Sequence, residues 1–170
     1  LTPGQTIVEA VSGPFATGGR LGGRTAGHPV ALGVPEDARA MREEGLLRGG
    51  AQIIHTPCQG GLAGARALAE TTAAEKGWYY MNWLANDDNP EYHRRVTGPA
   101  IVQAISREGR SLVDTITVGV GSAGTITGVG ETIKAWTNDV RIVAVEPFEN
   151  QALGGGFTGG HGIPDIGYGI

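Results

Sequence analysis

The chain has 170 residues, a formal net charge of −4 and an isoelectric point near 5.5. This acidic balance argues against a nucleic-acid partner, because such proteins need a basic surface to displace counterions from phosphates. The sequence has no run of about 18 apolar residues, so we expect no membrane-spanning helix. Cys58 is the single cysteine, which rules out an intramolecular disulfide and favours a buried thiol in a reducing, cytoplasmic setting.

Six short β-rich runs alternate with helical or glycine-rich stretches along the chain. They cover residues 5–10, 29–34, 52–56, 78–82, 115–121 and 141–146. Because their apolar residues are continuous rather than alternating, we expect strands that crossover helices cover on both faces, as in a parallel sheet. The sequence therefore predicts an α/β fold of three layers, with open, twisted and mostly parallel sheets.

Three stretches between the first runs differ in helical character. Residues 17–27 hold five glycines, each of which costs about 1 kcal/mol against alanine inside a helix, so we expect a weak or irregular element. Residues 36–47 follow Pro35 and begin with acidic side chains, which favour a helix start. Residues 62–76 are rich in alanine and are also predicted to be helical.

The sequence Asn89-Pro90-Glu91 marks the start of a further helix. Asparagine can cap a helix through its side-chain oxygen, and proline suits the first helical position because its missing N–H would be unpaired there. Pro99 is expected to kink or interrupt this helix, since it cannot donate an internal hydrogen bond.

The run at 115–121 leads into a glycine-rich turn that opens a helix, which makes a candidate anion site. Backbone N–H groups at a helix N-terminus have no partner within the helix, and the helix dipole adds positive charge there. Glycines 119, 121 and 124 would let a ligand approach the backbone, and Ser122 and Thr125 would add hydroxyl donors. A tight turn without a ligand would give the same pattern.

Two phosphate-containing cofactors remain open from this loop alone. The spacing Gly119-x-Gly121-x-x-Gly124 is the dinucleotide-binding fingerprint, and Glu146 lies about where a ribose-binding acid would stand. A metal is not predicted, because the histidines at 28, 55, 93 and 161 lack the spacing of metal ligands.

Five separated motifs together resemble the cysteine synthase and cystathionine β-synthase family. They are Thr6-Ile-Val-Glu-Ala-Val-Ser-Gly13, Val34-Pro-Glu36, Asn86-x-x-Asn89-Pro90-x-x-His93-x-x-x-Thr97-Gly98-Pro99, the loop at 119–128, and Val145-Glu-Pro147. Members of this family are fold type II enzymes, similar to the tryptophan synthase β chain, and depend on pyridoxal phosphate. The similarity extends from about residue 6 to residue 167.

The resemblance implies an activity, a cofactor and a set of binding residues. The activity is a cysteine synthase-like β-replacement on an activated serine, an amino-acid substrate. Ser12 and Gly13 would belong to the loop that receives the substrate carboxylate. The cofactor phosphate would be held by Gly121, Ser122, Ala123, Gly124 and Thr125.

The resemblance also implies a division into two lobes with the cofactor cleft between them. Residues 1–88 would form the small lobe, which carries the substrate loop. Residues 89–170 would form part of the large lobe, which carries the phosphate loop, and we expect a fold truncated at both ends. Such a chain is expected to form a homodimer or to depend on a partner chain.

Several positions depart from the family pattern. The Schiff-base lysine of the family lies upstream of the first strand, so no catalytic residue is assigned, and Lys76 and Lys134 are predicted to be surface charges. Polar or small residues of the family are replaced at four positions, which are Pro14 for asparagine, Phe15 for a small hydroxyl residue, Trp83 for glutamine and Asp165 for glycine.

These departures set what we expect of the chain by itself. It should hold only the phosphate of the cofactor, form no internal aldimine and be inactive alone. The alternatives are a non-catalytic relative that serves as a binding or regulatory subunit, and a nicotinamide dinucleotide-binding domain.

Overall fold

The computed structural model describes residues 1–10, 15–36, 47–107 and 113–168. The chain forms two compact units, Leu1–Asn82 and Trp83–Ile170, and each contains its own parallel sheet. The predicted α/β class is therefore confirmed. The division lies six residues before the one placed after residue 88 from the sequence, and the family roles of the two parts stay a prediction.

The first unit contains a four-stranded parallel sheet in the order β3-β2-β1-β4. Its strands are β1 (Ile7–Ala10), β2 (Val30–Pro35), β3 (Gln52–Thr56) and β4 (Tyr79–Tyr80). Every residue of β1 and β2 is buried, which explains why both strands are mostly apolar. The exception is Glu9 of β1, whose Oε1 accepts a hydrogen bond of 2.7 Å from the N–H of Ala10. The fourth strand is shorter than the run predicted at 78–82.

Two helices cover the opposite faces of this sheet, α1 (Phe15–Thr25) and α2 (Gly61–Lys76). Alternate residues of β2 point to different sides, because successive side chains of a strand do so. Val30 and Leu32 pack with Ala16 of α1, whereas Ala31 packs with the buried alanines of α2. The first unit therefore has the three layers that the sequence predicted.

The expectation of a weak or irregular element at residues 17–27 is wrong. These residues lie largely within α1, which is a regular helix in spite of its glycines. Gly23 is buried, and a Cβ built on it would lie 2.6 Å from Val30 Cγ2 and 3.3 Å from Ile7 Cδ1. The glycine thus lets the helix backbone approach the sheet, and this packing outweighs the low helix propensity.

Two further expectations concern the chain between β2 and α2. The helix predicted at 36–47 lies outside the described residues except at its two ends. Cys58 begins a short 3₁₀ turn, Cys58–Gly60, and is exposed, so the prediction of a buried thiol is wrong. The alanine-rich helix is confirmed.

The second unit contains two parallel strands, β5 (Thr115–Gly119) and β6 (Arg141–Val145). The helix between them, α5 (Gly124–Trp136), supplies Val129 and Ile133 to a buried core. Only alternate positions of β5 are partly buried, so the prediction that helices cover both faces is wrong for the described part of this sheet.

A nearly continuous helical segment precedes β5 and packs against α5. It consists of α3 (Asp88–Tyr92), a π-helical turn (His93–Thr97) and α4 (Gly98–Arg107). Pro99 does not interrupt it. The N–H of Gly98 donates to the carbonyl of His93, five residues earlier, as in a π-helix. This wider turn lies directly before Pro99, which has no N–H to donate within the helix.

Asn89 does not cap this segment as predicted, since it lies inside the first turn of α3. At the start of α3, it is Asn86 Oδ1 that accepts a hydrogen bond from a helical N–H, that of Asp88, at 2.9 Å. The side chain of Asn89 is therefore directed to other partners, which belong to the candidate site.

Glycines allow α5 to touch the α3–α4 segment at the level of the backbone. A Cβ on Gly128 would overlap the carbonyl oxygen of Pro90 and lie 2.7 Å from both Arg94 N and His93 Cβ. A Cβ on Gly98 would lie 2.6 Å from Thr132 Cβ. We call this contact between the α3–α4 segment and α5 the glycine seam.

An ion-pair network runs along the outside of the glycine seam. Arg94 pairs with Glu131 of α5 and with Glu91 of α3. Hydrogen bonds to Glu131 and Glu91 raise the pKa of Arg94, and the hydrogen bond to Arg94 lowers the pKa of Glu91. These groups are partly exposed, so solvent screens the pairs and the close backbone packing contributes more to the seam.

The two adjacent glycines of α1 provide a test of its packing. We expect Gly23→Ala to destabilise the chain by about 1 to 3 kcal/mol, because its Cβ would press on the stiff Val30 side chain. Gly22→Ala is the control, since nothing lies within 4 Å of its Cβ, and alanine there should stabilise by about 0.5 to 1 kcal/mol. Urea unfolding measures both, and equal effects would contradict the packing argument.

A second pair of substitutions tests the glycine seam. Gly128→Ala should lower the free energy of unfolding by about 3 kcal/mol, because the new methyl group would overlap backbone atoms that cannot rotate away. Gly130 lies in the same helix, but its Cβ would meet only the side chain of Ile142, at 3.6 and 3.9 Å. Gly130→Ala should therefore be neutral or slightly stabilising. A Gly128→Ala variant with the native urea midpoint would refute the close contact.

Candidate phosphate-binding site

The turn between β5 and α5 has the strand–turn–helix geometry that the sequence predicted. β5 ends at Gly119 and α5 begins at Gly124, after Ala123, whose φ of 61° is left-handed. Alanine has no polar side chain to bond the first N–H groups of the helix. Only Ser122 Oγ approaches the N–H of Gly124 within the described structure, at 3.4 Å. The helix therefore presents N–H donors at the mouth of this loop.

Asn89 holds the loop through Ser122. Its Nδ2 lies 2.9 Å from Ser122 Oγ and 3.1 Å from the carbonyl oxygen of Trp83. A carbonyl can only accept, so this contact identifies the amide nitrogen and fixes the orientation of the side chain. The Asn89 amide thus joins α3 to the loop.

His93 makes the equivalent contact to Thr125, one helical turn further along. Its Nε2 lies 3.2 Å from Thr125 Oγ1, and its Nδ1 lies 3.0 Å from Thr97 Oγ1. The ring is therefore held between two hydroxyl groups, one on the π-helical turn and one on the first turn of α5. The sequence predicted a phosphate-binding role for Thr125, but it did not predict the contacts of His93 with Thr125 and Thr97.

The structure gives two of the loop glycines a role in packing, and the prediction that they let a ligand approach stays a prediction. A Cβ on Gly121 would lie 2.7 Å from the carbonyl oxygen of Asp165 and 3.0 Å from Tyr168 Cε2. A Cβ on Gly124 would overlap the Asn89 amide. These two glycines are thus required by packing within the protein itself.

Two of the residues that depart from the family pattern, Asp165 and Trp83, belong to the surroundings of the loop. Asp165 has a φ of 65°, in the region that glycine adopts most easily, which agrees with the glycine expected there from the family. Trp83 is 7% exposed, and its ring meets that of Tyr168 edge-on at 5.4 Å between centroids. Trp83 therefore contributes apolar packing at a position where the family has an amide.

The predicted substrate residues and the two lysines are not part of the loop. Ser12 and Gly13 lie outside the described residues, as does Pro14, and Phe15 is the first residue of α1. Both lysines are exposed and have partners. Lys76 Nζ lies 4.6 Å from the centroid of the Trp78 ring, and Lys134 Nζ donates to the carbonyls of Asn138 and Val140 at 3.0 and 2.6 Å.

The role of Glu146 as a ribose-binding acid is contradicted. Its two carboxylate oxygens accept hydrogen bonds from the N–H groups of Leu153 and Gly154, at 2.9 and 2.8 Å. The carboxylate thus organises the loop after β6, which leaves the dinucleotide fingerprint without its acidic partner.

The described residues contain neither a candidate metal site nor a candidate membrane-spanning helix. No group of three or more His, Cys, Asp and Glu side chains in that part of the chain is placed to hold a metal ion. None of the helices found there combines the length and the apolar character needed to span a bilayer.

Comparisons with known proteins show the family of this chain. Residues 2–166 match the family model described as pyridoxal-phosphate dependent enzyme. A cysteine synthase of Staphylococcus aureus is 33% identical over 170 residues, which cover this whole chain and 54% of the relative. A cysteine synthase B of Pseudomonas aeruginosa is 32% identical over 155 residues, 91% of this chain and 50% of the relative.

Solved structures show the same fold. An O-ureido-L-serine synthase matches with a TM-score of 0.94 and 28% identity, over 100% of this chain and 53% of that one. A cysteine synthase from Entamoeba histolytica matches with a TM-score of 0.90 and 31% identity, over 100% and 49%. The chain spans about half the length of these relatives. It belongs to the pyridoxal-phosphate dependent enzyme family, and within that family it is similar to cysteine synthases.

Proposed function

We propose that this chain supplies the phosphate grip of a cysteine synthase-like enzyme, which catalyses β-replacement on an activated serine. The observation that carries this proposal is the N-terminus of α5, where two hydroxyl residues are held in place by Asn89 and His93. The names of the most similar relatives support the reaction class. The amino-acid substrate, the reaction and any homodimer or partner chain belong to this proposal.

The loop residues fit the phosphate of pyridoxal phosphate. A phosphate dianion needs hydrogen-bond donors and positive potential, and the first turn of a helix provides both. The backbone and hydroxyl groups that would hold it belong to Gly121, Ser122, Ala123, Gly124 and Thr125. When bound, the cofactor supplies a ring that accepts electrons from the substrate's α carbon.

The positions of the two lysines favour the proposal that the chain binds only the phosphate of the cofactor. Lys134 lies at the far end of α5, where two carbonyls hold its ammonium group, and Lys76 stacks on Trp78 in the first unit. We propose that neither lysine bonds the cofactor. The substrate carboxylate would be received by Ser12 and Gly13, as the family resemblance implies. The lone Cys58 favours a cytoplasmic location.

One observation favours a second candidate function, that of a non-catalytic binding or regulatory subunit. Trp83 is buried against Tyr168 where the family has a polar substrate-binding side chain, so its ring offers no amide to a substrate. A chain that retains the phosphate grip and changes this position would bind the cofactor without completing the reaction. Cysteine synthase-like catalysis remains the better supported proposal, because the curated relatives carry that name over the whole of this chain.

Calorimetry with pyridoxine 5′-phosphate tests the phosphate grip. This probe carries the phosphate but no aldehyde, so it cannot react with surface amines. We expect it to bind, whereas pyridoxine, which lacks the phosphate, should not. Replacing Ser122 by alanine and Thr125 by valine together should weaken binding by roughly tenfold or more, since two hydrogen bonds to a charged group are lost. Thr127→Ala, on the exposed side of α5, is the control. Equal heats with both probes would refute the proposal.

Borohydride reduction tests the role of the lysines. After incubation with pyridoxal phosphate and reduction, we expect labelling of Lys76 and Lys134 to stay at the level seen with pyridoxal, which has no phosphate to be gripped. Peptide mapping measures the label at each lysine. Stoichiometric labelling of either lysine, dependent on the phosphate, would show that the chain does supply its own amine.

A further inference from the structure

We propose that Asn89 and His93 are positioning residues that set the direction of two hydroxyl protons, so that Ser122 and Thr125 both donate to the phosphate. This inference rests on the proposed function and deepens it. The direction of the hydroxyl protons then decides how well the loop binds an anion.

The direction of a hydroxyl decides whether it can bind an anion. A serine or threonine side chain has one proton to donate and two lone pairs that accept. A phosphate dianion only accepts hydrogen bonds. A hydroxyl whose proton is already used elsewhere therefore offers the phosphate nothing but repulsion between oxygen atoms.

Asn89 settles this direction for Ser122. Its Nδ2 must face the carbonyl of Trp83, which only accepts, and its second hydrogen is then directed at Ser122 Oγ, 2.9 Å away. The N–H of Gly124 approaches the same oxygen at 3.4 Å. With both lone pairs of Ser122 Oγ engaged, its proton remains for the anion.

The tautomer of His93 decides the direction for Thr125. A neutral imidazole has one donor nitrogen and one acceptor nitrogen. The contacts of Nε2 with Thr125 Oγ1 at 3.2 Å and of Nδ1 with Thr97 Oγ1 at 3.0 Å fit either tautomer. In our proposal the proton is on Nε2, which then donates to Thr125 Oγ1 while Nδ1 accepts from Thr97 Oγ1. In this tautomer the Thr125 proton is left for the anion.

The spacing of the four residues explains how one helix can serve both hydroxyls. Asn89 and His93 are four positions apart, so they lie on the same face of the α3–α4 segment and are separated by about one helical turn. Ser122 and Thr125 are separated by one turn of loop and helix. The glycine seam brings the two elements to backbone contact at Gly128, which places each donor opposite its hydroxyl.

Two isosteric replacements of His93 separate positioning from packing. Glutamine can place its amide nitrogen where Nε2 stood, whereas asparagine reaches only the position of Nδ1. We expect His93→Gln to keep the affinity for pyridoxine 5′-phosphate within about threefold, and His93→Asn to lower it by roughly tenfold, the cost of one hydrogen bond to a charged group. Equal affinities of the two variants, either both native or both weak, would overturn the role of His93.

A double-mutant cycle tests whether Asn89 acts through Ser122. Asn89→Ala should weaken binding several-fold in the native chain, about as much as one hydrogen bond, and should cause no further loss in a Ser122→Ala background. An additive loss would mean that Asn89 acts by another route. Arg95→Gln is the matched control on the same segment, since its side chain is 77% exposed and pairs only with Glu91 among the described residues.

A measurement on the native chain needs no variant. Long-range ¹H–¹⁵N correlation spectra report which imidazole nitrogen carries the proton, and we expect Nε2 for His93. A proton on Nδ1 would overturn the His93 arm of the inference. If the native chain fails to bind pyridoxine 5′-phosphate at all, the proposed function fails and the inference with it. If it binds but Asn89→Ala and His93→Asn bind equally well, only the inference fails.

Discussion

The backbone contact between the α3–α4 segment and α5 is the constraint on which the candidate site depends. At Gly128 the two elements are so close that even a methyl group would overlap the carbonyl of Pro90. This closeness lets side chains as short as Asn89 and His93 reach across to the phosphate loop. The partly exposed ion pairs of Arg94 lie along the glycine seam but contribute little to its stability, because water and salt screen them.

The chemistry of the loop follows from hydrogen-bond direction. The N-terminus of α5 presents backbone donors. In our proposal, Asn89 and His93 donate to the two hydroxyl groups, so that both hydroxyl protons are directed at the anion. The loop glycines serve this arrangement indirectly, since Gly121 and Gly124 let Asp165, Tyr168 and Asn89 pack closely against the turn.

The departures from the family pattern affect different parts of the molecule. Asp165 takes the left-handed backbone conformation of the glycine it replaces, so the turn that meets the loop keeps its shape. Trp83 replaces a polar side chain with a buried ring. In our proposal, the phosphate grip is preserved, and the change at Trp83 affects a position where the family binds substrate.

The sequence by itself determined the parallel α/β class, the strand–turn–helix of the phosphate loop and the family, because these depend on local apolar runs, glycine spacing and the order of motifs. Only the tertiary structure decided that the glycine-rich α1 is a helix, that Asn89 binds Ser122 rather than capping α3, and that Glu146 holds a loop rather than a ribose. Each of these outcomes depends on partners brought together by packing. Asn89 and Ser122 are 33 positions apart, and neither residue type specifies the other.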